Sequence, residues 1–269
     1  MKTFAFRGRS LTKRFSVMGI LNVTPDSFSD GGLYLAPEKA VAHGLAMARQ
    51  GADVIDVGAC STRPGSEPVS PETELERLSS VLPALARAGL TVSVDTYRPA
   101  VAEAALRMGA QIINDVSGVF SPEMAAVVRA FDAGWVVMHT GGCSAAQTRP
   151  YPHGVTADVN AFFDDMLRQA EAAGVARQHL CLDPGFGFGK TARDNIDLLR
   201  DFGEIIRPDV FVMAALSRKR FLGAMIGEGD RDNATAVADA AAFLRGADLV
   251  RVHDVTRAVQ TVKILEEVG

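Results

Sequence analysis

Short apolar runs alternate with longer segments of helical periodicity from one end of the chain to the other. Eight runs read as strands, over residues 16–21, 53–57, 91–94, 111–114, 135–139, 180–182, 210–214 and 249–252. They are rich in Val, Ile and Leu without polar alternation, as expected of parallel strands covered on both faces. Between them lie Ala-, Leu-, Glu- and Arg-rich segments that predict helices over 37–50, 71–88, 99–108, 161–173 and 235–245. Each stops just before a glycine, and three begin at Pro37, Pro71 and Pro99. Proline near the start and glycine just past the end is the usual punctuation of helices. Eight β-then-α units fit an α/β fold of the (β/α)8 TIM-barrel type, because a doubly wound sheet more often has about five or six strands. Residues 3–15 precede the first unit and are expected to form a short N-terminal hairpin that caps the bottom of the barrel.

The chain has 269 residues. Eight βα units use nearly all of that length, and no linker or low-complexity tract interrupts them, so one domain over 1–269 is expected. Hydrophobic residues make up 48% and charged residues 22%, an ordinary globular balance that argues against disorder. With 28 Lys+Arg against 32 Asp+Glu the formal net charge is -4, which gives no electrostatic reason to expect nucleic acid or an anionic membrane as partner. The longest unbroken apolar run, 210–216, falls far short of the ~20 residues that span a bilayer. The first fifteen residues carry polar groups where a secretory signal would be apolar. Cys60, Cys143 and Cys181 are odd in number and lack CxxC spacing, which points to a reducing cytoplasm and away from structural zinc.

In a TIM barrel, chemistry belongs at the C-terminal strand ends and the loops after them. The unusual residues collect there. Asn22 opens the loop after the first strand, Asp56 and the Ser61-Thr-Arg-Pro-Gly65 segment follow the second, and Asp95 closes the third. Asn114, Met138-His139, Asp183, Ser217-Arg-Lys-Arg220 and Arg251-Val-His253 close the remaining five. Loops are ordinarily polar and turn-rich, which accounts for the Gly, Pro and Ser. It does not account for Asp, Asn, Arg, Lys and His closing so many apolar strands that converge on one mouth, so a ring of active-site residues is expected. The Gly185-Phe-Gly-Phe-Gly-Lys-Thr191 stretch looks like a phosphate-binding P-loop. That pattern needs glycine five places before Gly189, where Pro184 stands, and it fails.

Eight segments in order, MGILNVTPDSFSDGG, DVG..STRPG, SVDTYRP, INDVSG, VVMH, LDPGFGFGKT, LSRKRFLG and VRVHDV, make the sequence resemble dihydropteroate synthase from Met18 to Val255. The resemblance implies a transferase of folate biosynthesis that joins (7,8-dihydropterin-6-yl)methyl diphosphate to p-aminobenzoate. It releases 7,8-dihydropteroate and pyrophosphate with Mg²⁺ assisting, and sulfonamides compete at the p-aminobenzoate pocket.

Carried over residue by residue, the resemblance assigns Asp95, Asn114, Met138, Asp183, Lys219 and Arg251 to the pterin. A dihydropterin edge presents a ring N–H beside an exocyclic amine, and a buried carboxylate such as Asp183 accepts such a pair with two charge-assisted bonds. Asn114 can both donate and accept, and the Arg251 guanidinium can lie on the ring face. Asn22, Thr62, Arg63, Arg251 and His253 are assigned to the diphosphate, with the Asn22 side-chain oxygen as ligand to Mg²⁺. Phe28, Thr62, Pro64, Phe188, Lys219 and Arg220 are assigned to p-aminobenzoate, and Arg63, Asp95, Lys219 and His253 to the reacting centre. The partners implied are those small molecules and a second copy of the chain in a homodimer.

The sequence departs from the family at Ala59-Cys60, where a Gly-Glu pair is common, and at Thr140, where Met is common. It departs again at Ala214-Ala215, where a glycine is usual. A pterin-binding methyltransferase domain shares the barrel, but it needs no diphosphate site and so leaves Asn22 and the Ser61–Gly65 segment unexplained. A pterin-binding paralogue without turnover is the other alternative.

Overall fold

The computed structural model describes residues 2–24, 32–60, 69–145 and 147–268. Strands β1 (Phe4–Phe6) and β2 (Arg9–Leu11) form an antiparallel hairpin in which Phe4 faces Leu11. Eight parallel strands then close on themselves: β3 (Ser16–Asn22), β4 (Val54–Gly58), β5 (Val92–Asp95), β6 (Ile112–Asp115), β7 (Gly134–Met138), β8 (Leu180–Asp183), β9 (Phe211–Ala214) and β10 (Leu249–Val252). β10 pairs with β3, Leu249 beside Ser16, which shuts the barrel. The fold is the expected (β/α)8 TIM barrel, and every predicted strand is present to within one residue at each end.

The helices follow the sequence less closely. The segment expected as one helix over 71–88 is two, α2 (Pro71–Ser79) and α3 (Leu82–Arg87) after α1 (Gly32–Gln50). Pro83 explains the break: in a continuous helix it would lack its N–H and clash with the preceding turn, whereas in the first turn of α3 it does neither. α1 begins five residues before Pro37, so that proline lies inside the helix rather than at its start. α4 (Pro99–Arg107) matches its prediction. α5 (Pro122–Phe131) has Ser121 as its N-cap. α6 (Val155–Ala172) starts earlier than expected, and α7 (Ala192–Arg200) opens on a Thr191–Asp194 capping box. α8 (Arg220–Ile226) is short; α9 (Arg231–Leu244) starts where Asp230 accepts from the Asp232 and Asn233 amides, ahead of the predicted 235. α10 (Val255–Val268) ends the described chain. Among the described residues no helix is long and apolar enough to cross a membrane.

Strand register divides the barrel interior into two halves. Lower inward positions are hydrocarbon: Met18, Val54, Ile112, Val136, Phe211 and Leu249 pack together with Phe4 and Phe6 of the hairpin. The Phe4 ring meets Phe6 edge-on at 5.5 Å and stacks on Phe211 at 5.9 Å, so the hairpin plugs the bottom of the barrel as expected. Each of these phenylalanines adds roughly 1.5–3 kcal/mol of burial. Because side chains alternate along a strand, the next inward positions upward are Asp56, Asp95, Asn114, Asp183 and Arg251. A second, larger core lies between the strands and the surrounding helices.

One group outside the barrel is costly. Asp239 of α9 is 1% exposed, and neither carboxylate oxygen has a hydrogen-bond partner among the described residues. Burial raises its pKa well above the ordinary carboxylate value. An acid with a raised folded-state pKa stabilises the fold fully only below its unfolded pKa near ~3.9, and that contribution is lost as pH rises. Asp239→Asn, uncharged at every pH, should therefore match the wild type near pH ~4 and exceed it by at least about 1.4 kcal/mol at pH ~8. Urea denaturation at both pH values measures this; equal stability at the higher pH contradicts it.

Candidate active site

Arg251 sits at the centre of the barrel mouth. β10 points it inward, where its Nε donates to Asp56 Oδ2 at 2.6 Å and its Nη2 to Asp95 Oδ2 at 3.0 Å. Asn114, opposite on β6, donates its Nδ2 to the same Asp56 Oδ2 at 3.1 Å. Asp56 is fully buried. Two acceptors, Asp56 Oδ1 and Asn114 Oδ1, are buried without a donor among the described residues. Burial works against the Arg251 charge, but Asp56 and Asp95 outweigh it and raise its pKa. Asp95 is pushed up to about 7 by burial; Arg251 holds it down, while Asp56 and Glu74 push it further up.

On the opposite wall, β8 ends at Asp183, next to Met138 in register. The Gly185 amide donates to Asp183 Oδ1 at 2.8 Å, and burial raises the carboxyl's pKa against the pull of that amide and of Lys219. Lys219 follows an unusual turn: Arg218 takes φ +56, a conformation that costs a non-glycine residue of order 1–2 kcal/mol. Its amide donates to Thr235 Oγ1 at 3.0 Å and its guanidinium forks onto Asp232, which holds the turn. Lys219 Nζ lies 4.8 Å from the centre of the Phe188 ring. Burial lowers its pKa to about 8, with Asp183 opposing and Arg251 reinforcing the shift.

At the third side, Ser217 and His253 are joined at 2.8 Å between Oγ and Nδ1, and the His253 amide donates to Ser217 Oγ at 3.1 Å. Across the mouth, the Asn22 side-chain oxygen faces Gly58: a Cβ there would lie 3.5 Å from Asn22 Oδ1 and 3.9 Å from Asp95 Oδ2. A hard neutral oxygen beside a carboxylate suits a cation that takes most of its ligands from water and phosphate. Among the described residues no three His, Cys, Asp or Glu side chains form a metal cage.

Asn22, Asp95, Asn114, Met138, Asp183 and Arg251 thus stand at or next to the C-terminal strand ends that ring the mouth, with His253 one residue past β10 and Phe188 and Lys219 in the loops after β8 and β9. Arg220 is exposed at the start of α8. Phe28, Thr62, Arg63 and Pro64 lie outside the described residues. The structure adds Asp56, which anchors both Arg251 and Asn114, and Ser217, which holds His253. A lone acid at an inward position of an apolar strand was the available signal for Asp56. Cys60 Sγ lies 3.8 Å from Arg98 Nη1, and Arg98 pairs with the buried Glu74 of α2.

The chain matches the family described as pterin binding enzyme over residues 18–253. It is 46% identical to the dihydropteroate synthase of Mycobacterium leprae, over 93% of this chain and 92% of that protein. It resembles the solved dihydropteroate synthase of Xanthomonas albilineans with 4-aminobenzoic acid, with a TM-score of 0.91 at 40% identity and coverage of 99% and 98%. The dihydropteroate synthase of Burkholderia cenocepacia, complexed with 7,8-dihydropteroate, gives a TM-score of 0.89 at 37% identity, covering 99% and 96%.

The carboxyl at Asp95 provides a direct check on the mouth's electrostatics. In the ligand-free protein, carbon NMR should show Asp95 titrating at about 7. Arg251→Met removes the cation that holds it down, so the midpoint should move upward by about one unit or more. A midpoint in the ordinary carboxylate range, or one unmoved by Arg251→Met, contradicts the arrangement.

Proposed function

The chain belongs to the dihydropteroate synthase family, and on that premise we propose that it condenses (7,8-dihydropterin-6-yl)methyl diphosphate with p-aminobenzoate. The products are 7,8-dihydropteroate and pyrophosphate. The observation that carries this reading is the surplus of acceptors in the mouth: among the described residues Asp56 Oδ1 and Asn114 Oδ1 are buried without donors, and the buried carboxyl of Asp183 stands on the wall across from Asp56. Each buried acceptor left unpaired costs about 1–3 kcal/mol, so the site favours a flat ligand whose edge is rich in N–H groups. A dihydropterin is such a ligand.

In this reading Asp183 accepts the paired ring N–H and amine, while Asn114 and Asp95 complete the polar floor. Met138 lines the pterin subsite, and Lys219 donates to its carbonyl or a ring nitrogen. Arg251, already fixed in place by Asp56 and Asp95, offers its plane to the ring and its charge to the diphosphate. His253, held by Ser217, joins Arg251 at the diphosphate, together with Asn22, Thr62 and Arg63. Asn22 would hold Mg²⁺, whose charge favours departure of the diphosphate. Phe28, Thr62, Pro64, Phe188, Lys219 and Arg220 bound the p-aminobenzoate subsite, the first three outside the described residues.

An arylamine is nucleophilic when neutral, so no strong base is needed. The C–O bond to diphosphate breaks first, the pterin π system delocalises the resulting cation, and the amine nitrogen then forms the new C–N bond and sheds a proton. Electrostatic stabilisation of the leaving group by Arg63, Arg251 and His253 is the main contribution asked of the protein. The βα units run through the described chain, which supports reading residues 1–269 as one pterin-binding domain. The cytoplasmic placement expected from the cysteines stays part of this proposal.

Incubation of the pterin diphosphate, p-aminobenzoate and Mg²⁺ with the protein should release pyrophosphate and dihydropteroate in equal amounts. No release contradicts the synthase reading, and pterin binding without release favours the non-catalytic paralogue. In the same assay series Asp183→Asn should weaken pterin binding by at least ~2 kcal/mol, about thirtyfold, through loss of a charge-assisted pair.

The homodimer has its own support. α9 and α10 expose Val237 (72%), Leu244 (66%), Ile264 (63%) and Val268 (74%). Val237 and Leu244 share one face of α9, two turns apart, and Ile264 and Val268 share one face of α10. We place the two-fold contact there. Light scattering should give a dimer for the wild type and a folded monomer for Val237→Asp/Leu244→Asp; a monomeric wild type contradicts it.

A further inference from the structure

The Gly185–Thr191 segment fails as a P-loop, yet its lysine is buried. Lys190 is 5% exposed, and its ammonium has four acceptors within reach. Nζ lies 2.9 Å from His139 Nδ1, 3.0 Å from Gly185 O, 3.1 Å from Phe188 O and 3.4 Å from His139 O. His139 is itself set for this. Its Nε2 lies 2.8 Å from Asp158 Oδ1 on α6, and Asp158 also pairs with Arg149. The partners fix the tautomer: Nε2–H donates to Asp158, which leaves Nδ1 as the acceptor for the lysine. Burial and the Lys190 charge lower the His139 pKa to about 4, consistent with a neutral ring.

The lysine therefore fastens the 185–190 loop to the 139–149 segment that follows β7. Other bonds run along the same seam, from the Tyr151 hydroxyl and the Arg149 amide to Gly189 O, both at 3.1 Å. The two backbones approach so closely that only glycine fits at two positions. A Cβ on Gly185 (φ +66) would lie 1.9 Å from His139 O, and one on Gly189 (φ +65) would lie 2.3 Å from Thr140 O. The fastened loop carries the Phe188 ring against Lys219 Nζ, and it also carries the Gly185 amide that donates to Asp183. A phosphate-binding lysine would point its ammonium at a ligand. Lys190 turns its ammonium inward, onto the loop's own carbonyls.

We propose that Lys190 is a positioning residue for the second substrate: by bonding Gly185 O, Phe188 O and His139 it sets the loop so that Phe188 and Lys219 form one wall of the p-aminobenzoate subsite. This rests on the synthase reading above. Because Asp183 stands on the barrel strand and the aromatic wall stands on the loop, loosening the loop should act on the arylamine more than on the pterin.

Two variants test it. Lys190→Met keeps the length and removes the donors; His139→Phe keeps a ring beside Phe162 and removes one of the lysine's acceptors together with the Nε2–H bond to Asp158. Lys190→Met should raise KM for p-aminobenzoate at least about tenfold, with Kd for the pterin diphosphate changed less than about threefold, and His139→Phe should move KM in the same direction by less. Hydrogen exchange on the ligand-free proteins supplies the second readout: amides 185–190 should exchange faster in Lys190→Met while those of β8 stay protected. KM unchanged in both variants, or a rise in KM matched by an equal loss of pterin affinity, overturns the inference. If Lys190→Met fails to fold, His139→Phe decides on the same measurements. If the wild type releases no pyrophosphate, the synthase reading fails on its own, and the exchange comparison still decides whether Lys190 sets the loop.

Discussion

The mouth of this barrel depends on one buried ion pair. Asp56 has no exposed surface, and its Oδ2 accepts from both Arg251 Nε and Asn114 Nδ2. Removing one partner from such a pair leaves an uncompensated charge in low dielectric, at a cost of about 3–5 kcal/mol. The pair also fixes its neighbours. Arg251 is held in plane by Asp56 on one side and Asp95 on the other, and Asn114 is turned so that its amide oxygen has no donor among the described residues. The floor formed by Asp56, Asp95, Asn114 and Arg251 is thus in place in the ligand-free protein, and a ligand that meets it finds these groups already oriented.

The barrel supports that charge by separating its two ends. Phe4 and Phe6 close the bottom over a hydrocarbon interior, which shields the ionic layer from below. Alternation along each strand then places the polar inward residues at the C-terminal ends. The lower half supplies burial energy, and the upper half holds the groups that burial penalises. Asp95 near 7 and Lys219 near 8 are consequences of that placement rather than of any special local bond. The same burial that perturbs these groups leaves two acceptors without donors among the described residues, which a ligand rich in N–H groups would satisfy.

Strand positions were legible because parallel strands with both faces covered read as plain apolar runs, and a polar residue closing such a run is easy to see. Helix ends were less so. Pro83 broke a segment with unbroken periodicity, and Asp230 and Thr191 set helix starts through side-chain caps rather than through proline or glycine. The ring of site residues was legible by place, and their roles came from family resemblance. Asp56 was visible as a strand-end residue without a role, since only the registers of β10 on β3 and of β3 on β4 bring Arg251 onto it. The service of Lys190 to His139 was hidden because 51 positions separate them in the chain. Phe28, Thr62, Arg63 and Pro64 remain assignments from resemblance.

The central claim is that Asp56 and Arg251 act as one unit in presenting the pterin floor. A double-mutant cycle read by dihydropterin diphosphate affinity tests it most directly, with Asp56→Asn, Arg251→Met and the double variant compared with wild type. If the pair is one unit, the double variant should lose little more than the worse single variant, a coupling of at least about 1 kcal/mol. Losses that add to within about 0.3 kcal/mol would show two independent residues and contradict the account.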